Sequence, residues 1–401
     1  MADLWSYVEG TSPAKIKVIG TGGAGCNAVN NLIDAGLDGV DFIVANTDVQ
    51  ALNRSKALNR IQLGPKLTNG LGAGGDAERG REAARESRDQ IRAALDGADM
   101  VFIATGLGGG TGTGSAPIIA EICQDVNALT VAVVTTPFSY ELARRAKVAA
   151  EGLTALKEMA DTVITIPNER LRTLAAPNVR AIDMFKMADE VLINSVKGVS
   201  ELILRAGYIN RDFADLRRVM TKSGLALMGI GAAEGENRAQ IAAERALSHP
   251  LLEGMADTGA RAVLINITAT MDLTMEEMTT AQAFITEKTG AKDDAFCGLV
   301  YDENMGNTMS ITVIAAGIAE AKPVVLPQPA VRSEKKSAAA VAPKLVAVPP
   351  PPVPEDLFKD VIWDIPPSIM KQDGARAEAG QKLAAESLLD TPTFMRKQAV
   401  N

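Results

Sequence analysis

The sequence contains a single histidine, His249, among its 401 residues. Ser-His-Asp catalysis, HExxH zinc chemistry and most histidine-based acid–base schemes would all depend on that one side chain. His249 precedes a proline at a predicted helix end, so we interpret it as structural. Any catalysis by this chain must therefore use carboxylates, backbone amides and a metal.

Other scarcities exclude further classes of protein. Only three cysteines occur, and their scattered positions lack metal-type spacing, which indicates buried free thiols in a reducing cytoplasm. A net charge of −8 without a basic block argues against nucleic acid as a partner. No stretch approaches the roughly 18 apolar residues of a membrane span, and the start lacks a signal-peptide pattern. We expect a cytoplasmic protein without direct membrane insertion.

The chain is long enough for two domains plus tails. Residues 14–176 alternate strand and helix patterns, and the near-continuous apolar strands are typical of a doubly wound, Rossmann-like α/β domain. A long central helix is predicted from Val179 to Arg205, within residues 177–207. Four strand patterns then predict a smaller α+β domain over residues 208–318.

Both ends of the chain differ from this globular material. Residues 1–13 are predicted to be a flexible N-terminus. Residues 319–385 are rich in proline and alanine, which predicts a disordered linker. Residues 386–401 regain apolar and aromatic side chains, which is typical of a docking peptide that folds on a partner.

Glycine is concentrated in one short stretch, "GLGGGTGTGSAP", at residues 106–117. The apolar run "DMVFIAT" before it predicts a buried strand. The segment "SAPIIAEICQDV" after it predicts a helix with Pro117 in its first turn. A connection of this kind normally needs only 2–6 residues. Strand, glycine loop and helix N-terminus together predict an anion site, with phosphate as its commonest occupant.

A second glycine motif, "GTGGAG" at residues 20–25, matches GxGxxG between a strand and a helix. By itself it favours a dinucleotide site, with Asp48 near the distance expected for a sugar-binding acid. Three other strand-to-helix loops of the same domain also carry glycine, and several converging phosphate loops suit a triphosphate better. The P-loop pattern GxxxxGK[ST] is absent from the sequence.

The run "GGGTGTG" at residues 108–114 resembles the signature of the tubulin/FtsZ superfamily. Further segments resemble its bacterial FtsZ family in the same order: "GTGGAGCNAV", "PFSYELARR", "IPNERL", "NRDFADLRRVM" and "DTPTFMRKQA". The similarity covers residues 14–318 and returns in the last fifteen residues. It implies a Mg²⁺-dependent GTPase that binds GTP and GDP and polymerises head to tail with itself at the division site, a ring at mid-cell.

The resemblance also implies residue roles. Those along the nucleotide and its phosphates would be Gly22, Gly23, Ala24, Gly25, Asn27, Gly110, Thr111 and Gly112. Glu141 and Arg145 would contact the sugar and phosphate side, Asn168 would lie near the sugar, and the residues at the base would be Phe185 and Asp189. Phe185 would stack on guanine, and Asp189, four residues on and therefore on the same helix face, would accept from its N1 and N2 donors. Asn210, Asp212 and Asp215 would reach the nucleotide of the next subunit and support hydrolysis there; no side chain is assigned to a metal.

Residues 388–401 would bind a membrane-tethering division protein such as FtsA, and other division regulators are further implied partners. Four positions depart from the family pattern: Leu142 replaces a glycine, Asp76 an asparagine, Arg211 a small residue and Thr391 an isoleucine. A carboxylate at Asp76 is expected to repel a γ-phosphate.

Two alternative functions stay open. One is a division paralogue that binds GTP and regulates filaments with weak hydrolysis, and the other is an NAD(P)-binding Rossmann oxidoreductase.

Overall fold

A computed structural model describes residues 14–175, 178–204, 213–221, 223–252, 259–291 and 295–318. The predicted flexible N-terminus, linker and docking peptide lie outside the described residues. The strands are β1 Ile16–Thr21, β2 Val40–Asn46, β3 Asn59–Gln62, β4 Met100–Gly106, β5 Leu129–Thr136, β6 Thr162–Pro167, β7 Gly224–Glu234, β8 Ala262–Ala269, β9 Ala295–Tyr301 and β10 Thr308–Ala316. The helices are α1 Gly22–Asp34, α2 Val49–Asn53, α3 Pro65–Thr68, α4 Ala77–Glu86, α5 Arg88–Leu95, α6 Thr111–Asp125, α7 Leu142–Met159, α8 Asn168–Leu171, α9 Ala181–Leu204, α10 Phe213–Met220, α11 Arg238–Leu247 and α12 Met275–Thr289.

The ten strands form one mixed sheet in the order β3-β2-β1-β4-β5-β6-β7-β10-β8-β9. Every neighbouring pair is parallel except those of β10, which runs antiparallel to β7 and β8. The first six strands carry helices on both faces, and β4 is buried along almost its whole length. The expected doubly wound α/β architecture, followed by an α+β part, is therefore confirmed.

Helix α9 joins the two halves of the molecule. Its buried positions, among them Met184, Ala188 and Leu192, recur at three- and four-residue steps. They belong to one apolar core that includes Phe102 of β4 and continues to Ile314 of β10. The predicted central helix is confirmed as Ala181–Leu204, while its expected end near Gly207 lies outside the described residues.

The two halves of the sheet meet along a narrow seam. Strands β6 and β7 pair over three residues, from Thr162 opposite Gly224 to Ile164 opposite Ala226. A third apolar core fills the second half, between its strands and helices α11 and α12. The boundaries of the predicted domains stay predictions.

Two expectations about helices were wrong. The charged segment after residue 76 forms two helices, because the hydroxyl of Ser87 donates to the carbonyl of Gln62 (3.1 Å) and accepts from the amide of Gly64 (3.0 Å) at the break. Helix α6 begins at Thr111, so Pro117 lies inside the helix and not in its first turn. Much of the predicted glycine loop is therefore helical.

The glycines of α6 are explained by the approach of α4. A Cβ on Gly114 would overlap the carbonyl oxygen of Ala77, and one on Gly110 would lie 2.8 Å from the amide nitrogen of Asp76. Glycine costs roughly 0.5–1 kcal/mol relative to alanine in a helix. Close packing of the two helices offsets that cost.

The three cysteines and the single histidine are partly or fully buried. Cys26, Cys123 and Cys297 are buried free thiols, as expected. Burial raises the pKa of Cys26 to about 11 and that of Cys123 to about 12, so both stay protonated. His249 is half-buried, its Nδ1 accepts from the amide of Leu251, and burial lowers its pKa. None of the helices among the described residues combines the length and apolar character of a bilayer span.

Candidate functional site

A cleft of about 340 Å³ opens at the carboxyl ends of the first strands. Open α/β sheets place ligands at this edge. Its walls come from the turn after β1, the turn after β4, the segment after β5, and the first half of α9. The cleft therefore collects segments that are far apart in the sequence.

Two helix N-termini meet at one end of this cleft. The first residues of α1 and of α6 line it, and a Cβ on Gly22 would lie 2.9 Å from the amide nitrogen of Gly112. Neither helix has a side-chain cap or an acidic residue in its first turn. Side chains cap some of the other helices: Asp48 caps α2, Asp76 caps α4 and Thr274 caps α12. Uncapped amides and the positive ends of two helix dipoles give this end of the cleft a preference for an anion.

Hydroxyl groups lock the two N-termini in place. Thr21, before α1, shares a hydrogen bond of 2.6 Å with Ser115, and the Thr105 hydroxyl donates to the carbonyl of Thr21 (3.1 Å). Thr47 and Thr111 share another of 2.5 Å. These bonds fix the amide groups before any ligand arrives, which is the preorganisation that strong anion binding requires.

The middle of the cleft carries a different set of polar groups. Glu141 forms an ion pair with Arg145 on the next turn and accepts from the amide of Phe138 (3.0 Å). Asn168 is buried, yet its Oδ1 has no hydrogen-bond partner. An unpaired buried oxygen is costly, so a ligand with a donor, such as a sugar hydroxyl, would satisfy it.

Aromatic and acidic side chains from α9 form the far end. Phe185 is 43% exposed, and its ring meets the buried ring of Phe138 edge-on at 5.6 Å. Phe138 in turn stacks on Tyr140 at 5.4 Å. Phe138 thus supports the Phe185 ring, which is open to the cleft and suits stacking by a planar base.

Asp189 lies one turn after Phe185 and is half-buried. Burial raises the pKa of its carboxyl to about 6; the nearby Glu190 adds to the rise, and a hydrogen bond from Asn31 (3.2 Å) opposes it. The group is still mostly ionised at neutral pH and presents acceptors at the base end of the cleft. Its surroundings are those of a functional carboxylate.

The cleft brings together all but two of the residues predicted to bind the nucleotide. Gly25 and Asn27 are outside its lining; a Cβ on Gly25 would overlap the carbonyl of Ala104, so this glycine allows α1 to pack on β4. Seven further residues line the cleft and were not predicted from the sequence: Gly106, Leu107, Gly109, Thr135, Pro137, Ala188 and Leu192. Several of them could have been predicted from position alone. The carboxyl ends of parallel strands line ligand sites, and Ala188 and Leu192 lie on the same helix face as Phe185.

Two acids named in the sequence analysis have other contacts. Asp48, which the dinucleotide alternative needs at the sugar, accepts from the amides of Gln50 (2.8 Å) and Ala51 as a helix cap. Asp76 accepts from the amide of Glu78 (2.9 Å) and faces a neighbouring cavity. Neither side chain lines the cleft. Repulsion between Asp76 and a third phosphate stays a prediction.

Asp215 lies near the amino ends of the strands, whereas the cleft lies at their carboxyl ends. It is in the first turn of α10, whose Arg217 donates to the carbonyl of Asn127 (2.9 Å), just before β5 begins. Thr135, at the other end of β5, lines the cleft. The eight residues of β5 span about 25 Å at roughly 3.3 Å per residue. Asn210 and Asp212 lie outside the described residues.

Within the described part of the chain, no group of three or more His, Cys, Asp or Glu side chains is placed to hold a metal ion. Magnesium commonly binds through one or two carboxylates together with substrate phosphates and water. The anion end of the cleft is compatible with a metal that arrives with its nucleotide.

The geometry defines a nucleotide-binding α/β protein with a phosphate end, a sugar region and a base end. Two models of known protein families match this chain. Residues 15–176 match the GTPase domain of the Tubulin/FtsZ family, and residues 224–319 match the C-terminal domain of the FtsZ family.

Individual relatives agree with this match. A cell division protein FtsZ of Coxiella burnetii is 49% identical over 310 residues, which cover 77% of this chain and 80% of the relative. One of Pseudomonas aeruginosa is 44% identical over 391 residues, or 96% of this chain and 97% of the relative. The structure of an FtsZ dimer of M. jannaschii is 48% identical, covers 76% of this chain and 89% of its own, and superposes with a TM-score of 0.73.

The chain belongs to the FtsZ family. It is a GTPase and a self-polymerising cytoskeletal protein of cell division, with an active site that, as is typical of the family, the neighbouring subunit completes. Membership in this family replaces the oxidoreductase alternative, whose sugar-binding acid would have been the capping residue Asp48.

Proposed function

We propose that GTP lies along the cleft with its phosphates at the N-termini of α1 and α6 and its base on Phe185. The observation that carries this orientation is the close approach of two uncapped helix N-termini that line one end of the cleft. The amides of Gly110, Thr111 and Gly112 hold the β- and γ-phosphates. Gly25 allows α1 to pack on β4 from outside the lining, and the unpaired oxygen of Asn168 accepts from the sugar.

Guanine selectivity follows from the base end. Guanine presents N1–H and N2–H₂ donors on one edge, whereas adenine presents an acceptor at N1. The ionised carboxylate of Asp189 pairs with the first pattern and repels the second. A charge-assisted bond of this kind is worth about 1.5–3 kcal/mol, which is the discrimination that we expect Asp189 to supply.

Hydrolysis uses groups of a second subunit. Because Asp215 and the cleft lie at opposite edges of the sheet, the carboxylate of one subunit meets the nucleotide of the next when subunits stack head to tail. There Asp215, with Asp212 and the positioning residue Asn210, orients the attacking water. Mg²⁺, when bound, neutralises charge that develops on the phosphates. Turnover therefore depends on assembly.

Mixing experiments test this mechanism. Asp215→Asn removes the carboxylate charge but keeps its size, so the variant should bind GTP, join filaments and lower turnover per wild-type subunit in a mixture. The matched control is Glu236→Gln, which changes an exposed acid in the turn after β7. GTP turnover per wild-type subunit would be measured against protein concentration.

Two results would count against the mechanism or its strength. If a copolymerising Asp215→Asn variant left the turnover of each wild-type subunit unchanged, sharing of the active site would be excluded. Turnover that stays low at every concentration while filaments form would favour the regulatory paralogue that the sequence analysis left open.

We further propose that residues 388–401 bring the filament to the membrane by binding a tethering division protein such as FtsA, and that other regulators act on the ring at mid-cell. The support comes from the sequence of this segment, which carries Leu388, Leu389, Phe394 and Met395 followed by two cations. Deleting residues 388–401 should leave GTP hydrolysis and filaments intact and abolish recruitment to tether-coated bilayers. Loss of polymerisation in solution would assign the segment to the filament instead.

A further inference from the structure

Helices α1 and α9 face each other beside the base end of the cleft. The amide Nδ2 of Asn31, in the third turn of α1, donates to Oδ2 of Asp189 at 3.2 Å. Asp189 lines the cleft, whereas Asn31 does not. Asn31 can therefore influence a ligand only through the carboxylate that it holds.

We propose that Asn31 is a positioning residue for nucleotide recognition: it fixes the Asp189 carboxylate so that both of its oxygens can accept from one planar base edge. This inference rests on the proposed function of Asp189. A free carboxylate rotates about its last bond, and a bidentate pair forms only when its plane matches the plane of the donors. One hydrogen bond from a neighbouring helix is enough to restrict that rotation.

The choice of an amide at position 31 has a physical reason. A cation there would neutralise Asp189 and compete with the base for its oxygens, whereas an aliphatic side chain would leave a half-buried carboxylate without support. The amide donates one proton and adds no charge. None of the ion pairs among the described residues includes Asp189, so its charge stays available to a ligand.

A neighbouring side chain on the same helix offers a matched control. Oδ1 of Asn30 accepts from the hydroxyl of Ser55 (3.0 Å) and from the amide of Lys56 (2.8 Å), and these bonds support the chain before β3. Asn30→Leu removes two accepted hydrogen bonds and Asn31→Leu one donated hydrogen bond from the same helix. Only the second contacts Asp189.

The test measures binding of GTP and of inosine triphosphate, which lacks the N2 amino group, to the full chain at concentrations below assembly. Wild-type protein should prefer GTP. Asn31→Leu should reduce that preference by roughly tenfold, since residues in direct contact are commonly coupled in their effects. Asn31→Gln, which keeps an amide donor, should restore part of the preference. Asn30→Leu should lower the melting temperature and leave the ratio of the two affinities unchanged.

A double-mutant cycle separates positioning from general damage. In an Asp189→Asn background, adding Asn31→Leu should cause no further loss of preference. An unchanged preference in Asn31→Leu, combined with a lost preference in Asp189→Asn, would overturn the role of Asn31 alone. If Asp189→Asn itself kept the wild-type preference, the proposed base recognition and the role of Asn31 would both be wrong.

Discussion

Leu142 has a backbone conformation that leucine rarely adopts. Its φ is 75° and its ψ is 152°, a combination that is essentially restricted to glycine. The side chain is 75% exposed, so packing does not account for the choice of leucine. Leu142 follows Glu141 directly and begins α7, which means that any strain is stored beside the sugar region of the cleft.

The expected effect of Leu142→Gly can be worked out from these values. Relief of the strained backbone contributes about 1–3 kcal/mol. The additional freedom of glycine in the unfolded chain costs roughly 0.5–1 kcal/mol. Little apolar burial is lost because the side chain is exposed. The net gain is about 0.5–2 kcal/mol, which corresponds to a rise in melting temperature of about 1–3 °C for a chain of this size.

The assay is thermal unfolding at one fixed GDP concentration, since bound nucleotide itself stabilises the fold. Ala146→Gly is the matched control. It introduces the same residue into an exposed position of the same helix and should lower stability by up to about 1 kcal/mol. A lower melting temperature for Leu142→Gly, similar to that of the control, would refute the claim that position 142 is strained.

Three further outcomes are expected. Asp76→Asn keeps a side chain that caps α4 equally well, so the free energy of unfolding should stay within about 0.5 kcal/mol of the wild type. The affinity for GTP should rise more than the affinity for GDP. Equal changes in the two affinities would show that Asp76 does not sense the third phosphate. The pKa of the Asp189 carboxyl is about 6 and binding uses its ionised form, so GTP affinity should fall by about tenfold per pH unit below pH 6. Asp189→Asn should remove this dependence. A wild-type GTP affinity that stays constant from pH 7 to pH 5 would contradict the assignment. Gly114→Ala should destabilise the fold by about 1–3 kcal/mol, because the added Cβ overlaps the backbone of α4. A Cβ at Gly23 meets no protein atom, so Gly23→Ala should weaken nucleotide binding instead. Equal melting temperatures for the two variants would be inconsistent with the packing described.

Features with a local pattern could be predicted from the sequence. The apolar run at β4 is buried as expected, and the four-residue spacing of Phe185 and Asp189 places both in the cleft. The start of α6 could not be predicted in this way, because glycine disfavours a helix locally and only the contact with α4 explains it. The seam between β6 and β7 covers three residue pairs and leaves no periodic pattern. The bond from Asn31 to Asp189 joins residues that are 158 positions apart.

The positions of the cleft and of Asp215 also restrict how subunits can assemble. The central helix has 24 residues, about 36 Å at roughly 1.5 Å per residue, and its first half lines the cleft. A two-fold dimer through the cleft would place nucleotide against nucleotide and leave Asp215 of both subunits without a substrate. In the proposed mechanism, a translation along the strands instead brings Asp215 of one subunit to the cleft of the next. Such a heterologous contact leaves both ends open, so each added subunit completes one active site and creates one incomplete site. In this proposal, the same contact couples growth of the filament to GTP hydrolysis.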